Sequence, residues 1–285
     1  MAYLGQWIRI KMRVGITGYK GFLGSHIFNR LKNNKKISLI EGFDLPEGDI
    51  LNQETIEKFV SDKDVIIHLA ALNRAKDFDL MQVNVLGTFS LIQAIKSKKP
   101  DCRLIFASSF QVYSKSQEDD IINENFSVKP MTNYGFSKKF CEEMILPKIK
   151  DNIIFRISNI YGPGCKPFYN SSVATFVNLA KEGKSINISG EGSQSRDFVF
   201  VDDVVDAFES AIFSQENGIF NICSGESISM NQLAFLLKEN FPNLEITHIP
   251  IKEEIILVKG SFAKATEMLK WQPKICFREG LKKCI

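Results

Sequence analysis

The chain has 285 residues, 44% of them hydrophobic and 24% charged, with a net charge of +3. This length allows one large or two modest cores in a globular protein of ordinary composition. The small charge comes without a basic block, which disfavours nucleic-acid binding, and no apolar run approaches the roughly 18 residues of a membrane span.

Residues 1–12 lack the small-residue cleavage site of a signal peptide. Because Met12 lies directly before the first predicted strand and could be the start, these residues are expected to be an extension. The apolar run Arg13–Thr17 predicts a strand, three glycines follow at intervals of three, and Ser25–Leu31 has a helical pattern. The glycines are Gly18, Gly21 and Gly24. A strand, a glycine turn and a helix in this order predict a dinucleotide-binding turn, with the helix N-terminus facing the pyrophosphate.

A second predicted strand, Ile37–Phe43, ends at Asp44, twenty residues after Gly24. A carboxylate at this point can accept hydrogen bonds from ribose hydroxyls and repel a 2'-phosphate, which favours NAD over NADP. A simple turn aspartate before Pro46 is the alternative. Only a few residues separate Asp44 from Gly48, so the usual second crossover is expected to be short or missing.

The continuous apolar run Asp64–Ala71 is typical of a strand buried on both faces of a parallel sheet. It lies between two predicted helices, Asn52–Val60 and Leu80–Lys96. His68 within the run is expected to be a core histidine with satisfied hydrogen bonds rather than a ligand.

The next predicted strand, Arg103–Ala107, breaks into the hydroxyls of Ser108 and Ser109. Doubly wound sheets place their chemistry at strand ends, so a serine here could bind a substrate hydroxyl or carbonyl, although serines are also ordinary turn residues. The polar stretch Ser114–Pro130 is expected to be a loop over the site.

Tyr134 and Lys138 lie four residues apart in the segment NYGFSK, so in a helix they share a face. A lysine ammonium beside a phenol favours the phenolate and is expected to lower the pKa of Tyr134, which would make it a general base. The same spacing also occurs on ordinary solvated helix faces.

Later elements are the strand Asn152–Ile157 and the helices Ser171–Glu182 and Asn231–Asn240, the last following a cap region at Ser229. The alternation predicts an α/β fold of Rossmann type, a doubly wound parallel sheet with a smaller α+β C-terminal lobe that binds substrate. The expected division is residues 13–160, a dinucleotide-binding domain to which later strands return, and 161–285, mostly the substrate lobe.

Five motifs follow one another along the chain: the glycine turn, the strand-end serines, NYGFSK, NIYGPG (159–164) and RDFVFVDD (196–203). In this order they resemble the extended short-chain dehydrogenase/reductase family, specifically its nucleotide-sugar epimerases, dehydratases and reductases. The match continues to WQP (271–273). The resemblance therefore spans nearly the whole chain.

The resemblance implies a role for each matching position. It assigns Ser109, 25 residues before Tyr134, with Tyr134 and Lys138 to catalysis. Cofactor binding would involve Gly18, Gly21, Phe22, Leu23, Gly24, Asp44, Asp49, Ile50, Leu69, Ala70, Ala71, Asn84, Tyr134 and Lys138. Substrate binding would involve Ser109, Gln111, Asn159 and Arg196, of which the last two suit a diphosphate.

Two neighbours of Ser109 depart from the family pattern. Where dehydratases have an Asp-Glu pair that eliminates water, this chain has Phe110 and Gln111, and neither can shuttle a proton. The resemblance then implies simple hydride transfer, most often at C4 of the sugar.

Three functions follow. The first is an NAD-dependent nucleotide-sugar epimerase acting at C4. The second is an NAD(P)H-dependent reductase of a 4-keto-6-deoxy nucleotide-sugar, since the stretch Cys165–Phe176 resembles the sequence of such reductases. The third is a non-catalytic dinucleotide-binding protein, disfavoured because Tyr134 and Lys138 are both present.

The implied cofactor is NAD, with NADP not excluded, and the implied partner is a UDP-, dTDP- or GDP-linked sugar. Relatives commonly dimerise through the helix with NVLGT (84–88) and the Tyr134 helix, which predicts a homodimer. Phe136, Phe140 and Met144 recur at fours and fit either that surface or core packing. The six cysteines are scattered without a C-x-x-C pair, which predicts reduced thiols in the cytoplasm and no metal site.

Overall fold

The computed structural model describes residues 11–117, 120–169, 171–250 and 257–285. The strands are β1 (Met12–Thr17), β2 (Ile37–Phe43), β3 (Val65–His68), β4 (Arg103–Ser109), β5 (Asn152–Ile157), β6 (Asn159–Tyr161), β7 (Ile186–Ser189), β8 (Ser195–Phe200), β9 (Gly218–Ile222), β10 (Ser227–Ser229) and β11 (Ile246–Ile249). Met12, placed in the predicted extension, begins β1, and residues 1–10 lie outside the described residues.

The helices flank these strands. They are α1 (Phe22–Leu31), α2 (Gln53–Val60), α3 (Asp77–Met81), α4 (Gly87–Lys98), α5 (Asn133–Ile145), α6 (Ser172–Lys181), α7 (Val201–Phe213), α8 (Met230–Lys238), α9 (Ala263–Leu269) and α10 (Phe277–Cys284). A π-helical turn, Gln82–Leu86, joins α3 to α4, and a 3₁₀ turn, Phe110–Val112, follows β4.

The main sheet is parallel, with the strand order β2-β1-β3-β4-β5-β9. β5 is buried along its whole length, because helices cover both faces. One core packs α1, α7 and α9 against one face, and a second packs α2, α4 and α5 against the other. The predicted Rossmann-type α/β class is confirmed.

β2 forms the edge of this sheet. The chain passes from Phe43 to α2 without another strand, so the predicted short second crossover is confirmed. The end of β4 differs from the prediction. The strand was predicted to break at Ser108, but it continues through Ser109, because both serines stay in register with β5.

The smaller lobe contains the sheets β10-β8-β6 and β11-β7, with a third core involving α6, α8 and α10. β9 and α9 return to the main domain, where they pack beside β5 and α7. Ser229 caps α8 in a capping box with Gln232, as the cap region predicted.

The continuous helical stretch Asp77–Lys98 is long and apolar enough, by length and composition, to cross a membrane. The search of the sequence for uninterrupted apolar runs did not find this stretch. Its α4 portion packs against α2 and α5, which is the environment of a core helix.

Candidate active site

The carboxyl edge of the main sheet gathers most of the predicted site. Thr17 at the end of β1 is in register with Phe43 of β2 and with His68 of β3. Gly18, Asp44 and Leu69 therefore leave neighbouring strands at one edge. Ser109 ends β4 at the same edge, as strand ends in doubly wound sheets require.

The glycine turn has no room for side chains. Gly18 has a φ of 73°, in the left-handed region. A Cβ at Gly24 would lie 2.3 Å from the carbonyl oxygen of Gly18, so α1 packs directly on the turn. Gly21 caps α1 without a side chain, which leaves the first helical N–H groups, including those of Phe22 and Leu23, available to an anion.

Asp44 lies beside this turn. Its carboxylate accepts hydrogen bonds from the N–H of Lys20 at 3.0 Å and of Leu45 at 2.9 Å. The Lys20 ammonium is 2.5 Å from Glu47, and this hydrogen bond raises the pKa of Lys20 and lowers that of Glu47. Nearby, Asp49 is exposed and Ile50 is buried.

His68 organises the segment Leu69–Ala71. Thr88 donates its hydroxyl proton to the Asn84 carbonyl at 2.6 Å, so it must accept from His68 Nε2 at 2.9 Å. His68 Nδ1 then accepts from Thr17, 2.7 Å away. Burial, together with the charge of Lys138, lowers the pKa of His68 to about 3. The prediction of a satisfied core histidine is confirmed.

Thr17 also fixes the backbone of this segment, because its hydroxyl oxygen accepts from the N–H groups of Leu69 and Ala70 at 3.3 Å. Asn84, in the π-helical turn, is 1% exposed. Its carboxamide pairs with both backbone groups of Leu72 and donates to Ser137 at 3.0 Å. Asn84 therefore supports the segment from behind.

Ser109 and Gln111 form the turn after β4. The Ser109 hydroxyl oxygen accepts from the N–H of Gln111 at 3.2 Å, which leaves its proton for another acceptor. Thr132 caps α5 by accepting from Gly135 and donates to the Gln111 side chain at 2.8 Å. A Cβ at Gly135 would lie 2.2 Å from the Gln111 carbonyl oxygen, so α5 packs closely on this turn.

Tyr134 is half-buried in the first turn of α5, and Lys138 follows one turn later with 3% exposure. The Lys138 ammonium donates to the Ala107 carbonyl at 2.8 Å and lies 5.7 Å from the centre of the Tyr134 ring. Burial lowers the pKa of Lys138 to about 8, partly offset by Cys141 and Glu142.

The expected lowering of the Tyr134 pKa by Lys138 is wrong for the protein without cofactor. Burial, together with Cys141 and Tyr169, raises the pKa of the phenol above its ordinary value. The physical reason is that the ammonium is directed at the Ala107 carbonyl, so desolvation dominates at the phenol.

Asn159 and Arg196 belong to the smaller lobe, on the neighbouring strands β6 and β8. Asn159 is exposed, and Arg196 is half-buried with its guanidinium donating to the Ser195 carbonyl at 2.8 Å. Their assignment to a diphosphate stays a prediction.

Sequence reasoning missed Asp197, the fully buried neighbour of Arg196. Its carboxylate accepts from Ser158 at 2.9 Å and from the N–H groups of Ser224 at 2.7 Å, Gly225 at 2.9 Å and Gly260 at 3.1 Å. It thereby links β8 to the residue before β6, to the turn after β9 and to the segment before α9. The motif RDFVFVDD contained the signal, since a charged residue alternating with apolar ones in a strand needs partners.

Two further features bear on what the chain can bind. A cleft of about 660 Å³, lined among others by Asp206, Phe213 and Trp271, lies at the opposite, amino edge beside Lys36. Among the described residues, no group of three or more His, Cys, Asp or Glu side chains is placed to hold a metal ion.

The family model described as "NAD dependent epimerase/dehydratase family" matches residues 14–223. The chain belongs to this family. The match covers the glycine turn, Ser109 and the Tyr134 helix, so the resemblance to the extended short-chain dehydrogenase/reductase group is confirmed.

Similar members of the family carry out different reactions. A UDP-N-acetyl-alpha-D-glucosaminuronate decarboxylase of Bacillus cytotoxicus is 29% identical over 97% of both chains. A protein of Methanocaldococcus jannaschii named as a putative UDP-glucose 4-epimerase is 30% identical over 95% of this chain and 96% of that one. The structure of UDP-glucose 4-epimerase from Thermotoga maritima, with UDP-glucose, gives a TM-score of 0.87 at 27% identity, covering 96% and 97%.

Structures of other family members hold NAD or NADPH. The residues of this chain fit such a dinucleotide. The glycine turn excludes Cβ atoms where a pyrophosphate would approach, the first N–H groups of α1 lack a side-chain cap, and the Asp44 carboxylate lies beside the turn.

Proposed function

We propose that the protein is an NAD-dependent epimerase that inverts C4 of the hexose in a nucleotide-sugar. The observation that carries the proposal is the set of side chains at the end of β4 and the start of α5. Ser109, Tyr134 and Lys138 can exchange protons there, whereas the adjacent Phe110 and Gln111 cannot.

The chemistry requires a base at the C4 hydroxyl. Tyr134 would take the hydroxyl proton, Ser109 would donate a hydrogen bond to the developing carbonyl, and Lys138 would hold positive charge beside the phenol. A bound NAD, held at the glycine turn, would supply the hydride chemistry, with removal from one face of C4 and return to the other. Oxidised nicotinamide carries positive charge, so we expect the pKa of Tyr134 to fall when cofactor is present.

The other family reactions need more from this site. Elimination of water needs a second acid and base near the reacting carbons. Loss of carbon dioxide from a uronate leaves a carbanion that must be protonated. In the turn after β4, Gln111 has an amide, which cannot supply that proton, and its oxygen accepts a hydrogen bond from Thr132 at 2.8 Å. Phe110 is 9% exposed and packs edge-on against Tyr113.

The test is a turnover assay with UDP-, dTDP- and GDP-linked hexoses in which products are separated and NADH is followed by absorbance. We expect interconversion of C4 epimers without net NADH change. Tyr134→Phe should abolish turnover and retain cofactor binding. The matched control Tyr161→Phe, whose hydroxyl donates to the Phe277 carbonyl in the smaller lobe, should stay active. An active Tyr134→Phe enzyme would refute the assignment.

The second candidate is the reductase of a 4-keto-6-deoxy nucleotide-sugar. The stretch Cys165–Phe176, between β6 and α6 and in the first part of α6, supports it because this sequence resembles that of such reductases. A reductase consumes one NAD(P)H per turnover. Sustained NADH loss with a 4-keto sugar would therefore favour this candidate over the epimerase.

The protein is further proposed to be a homodimer. Phe136 and Phe140 on α5 are 52% and 50% exposed, and Phe89 on α4 is 41% exposed. Met144 is 9% exposed, so it belongs to the core and not to this surface. Exposed aromatic residues on two packed helices are typical of a protein–protein interface.

The cytoplasmic location also stays a proposal. It rests on the six cysteines, all of which are free. Burial raises the pKa of the Cys102 thiol to about 12, which makes it unreactive.

A further inference from the structure

Glu142 lies one helical turn after Lys138 and two turns after Tyr134, so all three share one face of α5. It is 2% exposed. Its carboxylate accepts a short hydrogen bond from Ser108, the residue before Ser109. A buried carboxylate is thus attached directly to the strand that ends in the catalytic serine.

Arg156 on β5 forms an ion pair with this carboxylate. Its guanidinium forms a two-pronged contact, with Nε 3.1 Å from one Glu142 oxygen and Nη2 2.7 Å from the other. Ser108 and Arg156 are opposite each other in the β4–β5 register, so both strands hold the same carboxylate. Each of the two buried groups therefore has an ion-pair partner.

The network extends from Arg156 through Tyr113 and Asn221 to the backbone of Ile122. The Arg156 guanidinium lies 4.8 Å from the centre of the Tyr113 ring, and the Tyr113 hydroxyl donates to Asn221 at 2.6 Å. Asn221 in turn donates from its side chain to the Ile122 carbonyl at 2.9 Å. Arg156 is therefore fixed from the side opposite Glu142.

We propose that Glu142, paired with Arg156 and Ser108, is a positioning residue for Lys138: it fixes α5 against β4 and β5 and places a buried carboxylate one helical turn from the lysine. The proposal rests on the proposed role of Lys138. Without the carboxylate, the Lys138 ammonium would keep the Ala107 carbonyl as its hydrogen-bond partner and lose the buried carboxylate one turn further along α5.

The other titratable groups around Lys138 do not replace this charge. Cys141 on α5 is buried, and its pKa is raised, so it is a neutral thiol at neutral pH. His68 on β3 is neutral, and the Tyr134 phenol is protonated. In the described part of the chain, two groups raise the pKa of Lys138, Cys141 and Glu142, and of these Glu142 is the carboxylate.

The test is titration of Lys138 in the cofactor-free protein, by NMR of reductively methylated lysines with the signal assigned from Lys138→Arg. In the wild type we expect a midpoint near pH 8. Glu142→Gln should lower it by about one pH unit or more. Arg156→Lys keeps both charges and should leave the midpoint unchanged while lowering the melting temperature.

If Glu142→Gln does not fold, Glu142→Gln/Arg156→Met leaves no unpaired buried charge and should fold. It should also show a lowered midpoint, by less than Glu142→Gln alone, because the positive charge of Arg156 is removed with the carboxylate. An unchanged midpoint in a folded protein without the carboxylate would overturn the proposal and leave Glu142 a purely structural residue. The titration needs no substrate. If Glu142→Gln lowers the Lys138 midpoint but the wild type has no epimerase activity, the proposed function is refuted and the role of Glu142 is not.

Discussion

The contact between Gly135 and the turn after β4 gives a sharp prediction for Gly135→Ala. The new Cβ would lie 2.2 Å from the Gln111 carbonyl oxygen, whereas ordinary contact begins at 3.4 Å, so the groups must separate by about 1.2 Å. This moves Tyr134 away from Ser109. A misplacement of about 1 Å at a catalytic group costs on the order of 100-fold in rate, and we expect that loss in kcat.

Stability gives a second measurement on the same variant. Alanine in a helix gains about 1 kcal/mol over glycine, but overpacking against a rigid backbone costs about 1–3 kcal/mol. We therefore expect Gly135→Ala to be destabilised by about 1 kcal/mol in chemical denaturation. A variant that is stabilised and turns over at the wild-type rate would refute the close contact.

Gly24→Ala is the matched control, because its Cβ would lie 2.3 Å from the Gly18 carbonyl oxygen. The two clashes are similar in severity and differ in place. Gly24→Ala should lose NAD binding, whereas Gly135→Ala should bind NAD and lose turnover. Binding is measured by calorimetry, and loss of NAD binding in both variants would contradict the separation of the two roles.

Three further predictions follow from other parts of the molecule. Glu47→Gln removes the charge that pairs with the Lys20 ammonium and leaves its hydrogen bond to the Leu45 carbonyl. The unpaired positive charge should attract a 2'-phosphate and raise NADP affinity several-fold, as measured by calorimetry, and Glu47→Gln/Lys20→Met should show no such gain. Phe140→Glu places a charge on the proposed dimer surface and should give a monomer in sedimentation, whereas a dimeric variant would place the interface elsewhere. His68 binds protons near pH 6.5 when unfolded and near pH 3 when folded, so stability falls as pH drops from 6.5 towards 3, by up to about 5 kcal/mol from this group. Denaturation curves of His68→Gln should lack this part of the pH dependence, and identical pH profiles would contradict the buried neutral histidine.

The sequence was sufficient for features that depend on local patterns. The glycine turn, the strand Ile37–Phe43 and the cap at Ser229 were predictable because turn chemistry, strand periodicity and capping act over a few residues. The missing crossover after Asp44 was also predictable, because too few residues were available.

Features that depend on distant contacts could not be predicted in the same way. Asp197 collects hydrogen bonds from three separate segments, and Glu142 pairs with Arg156 only when β5 lies beside β4. The pKa of Tyr134 was predicted in the wrong direction because helical spacing does not show where the Lys138 ammonium points. Its partner, the Ala107 carbonyl, comes from a strand 31 residues away.

In the proposed mechanism, hydride leaves and returns to the same sugar carbon while Tyr134 carries the proton. Turnover of UDP-glucose deuterated at C4 tests this, with the product followed by NMR and NADH by absorbance. We expect the C4 epimer with deuterium retained at C4, no net NADH, and no reaction in Tyr134→Phe. A decarboxylated, dehydrated or net-reduced product from any tested nucleotide-sugar, or loss of the deuterium to solvent, would contradict it.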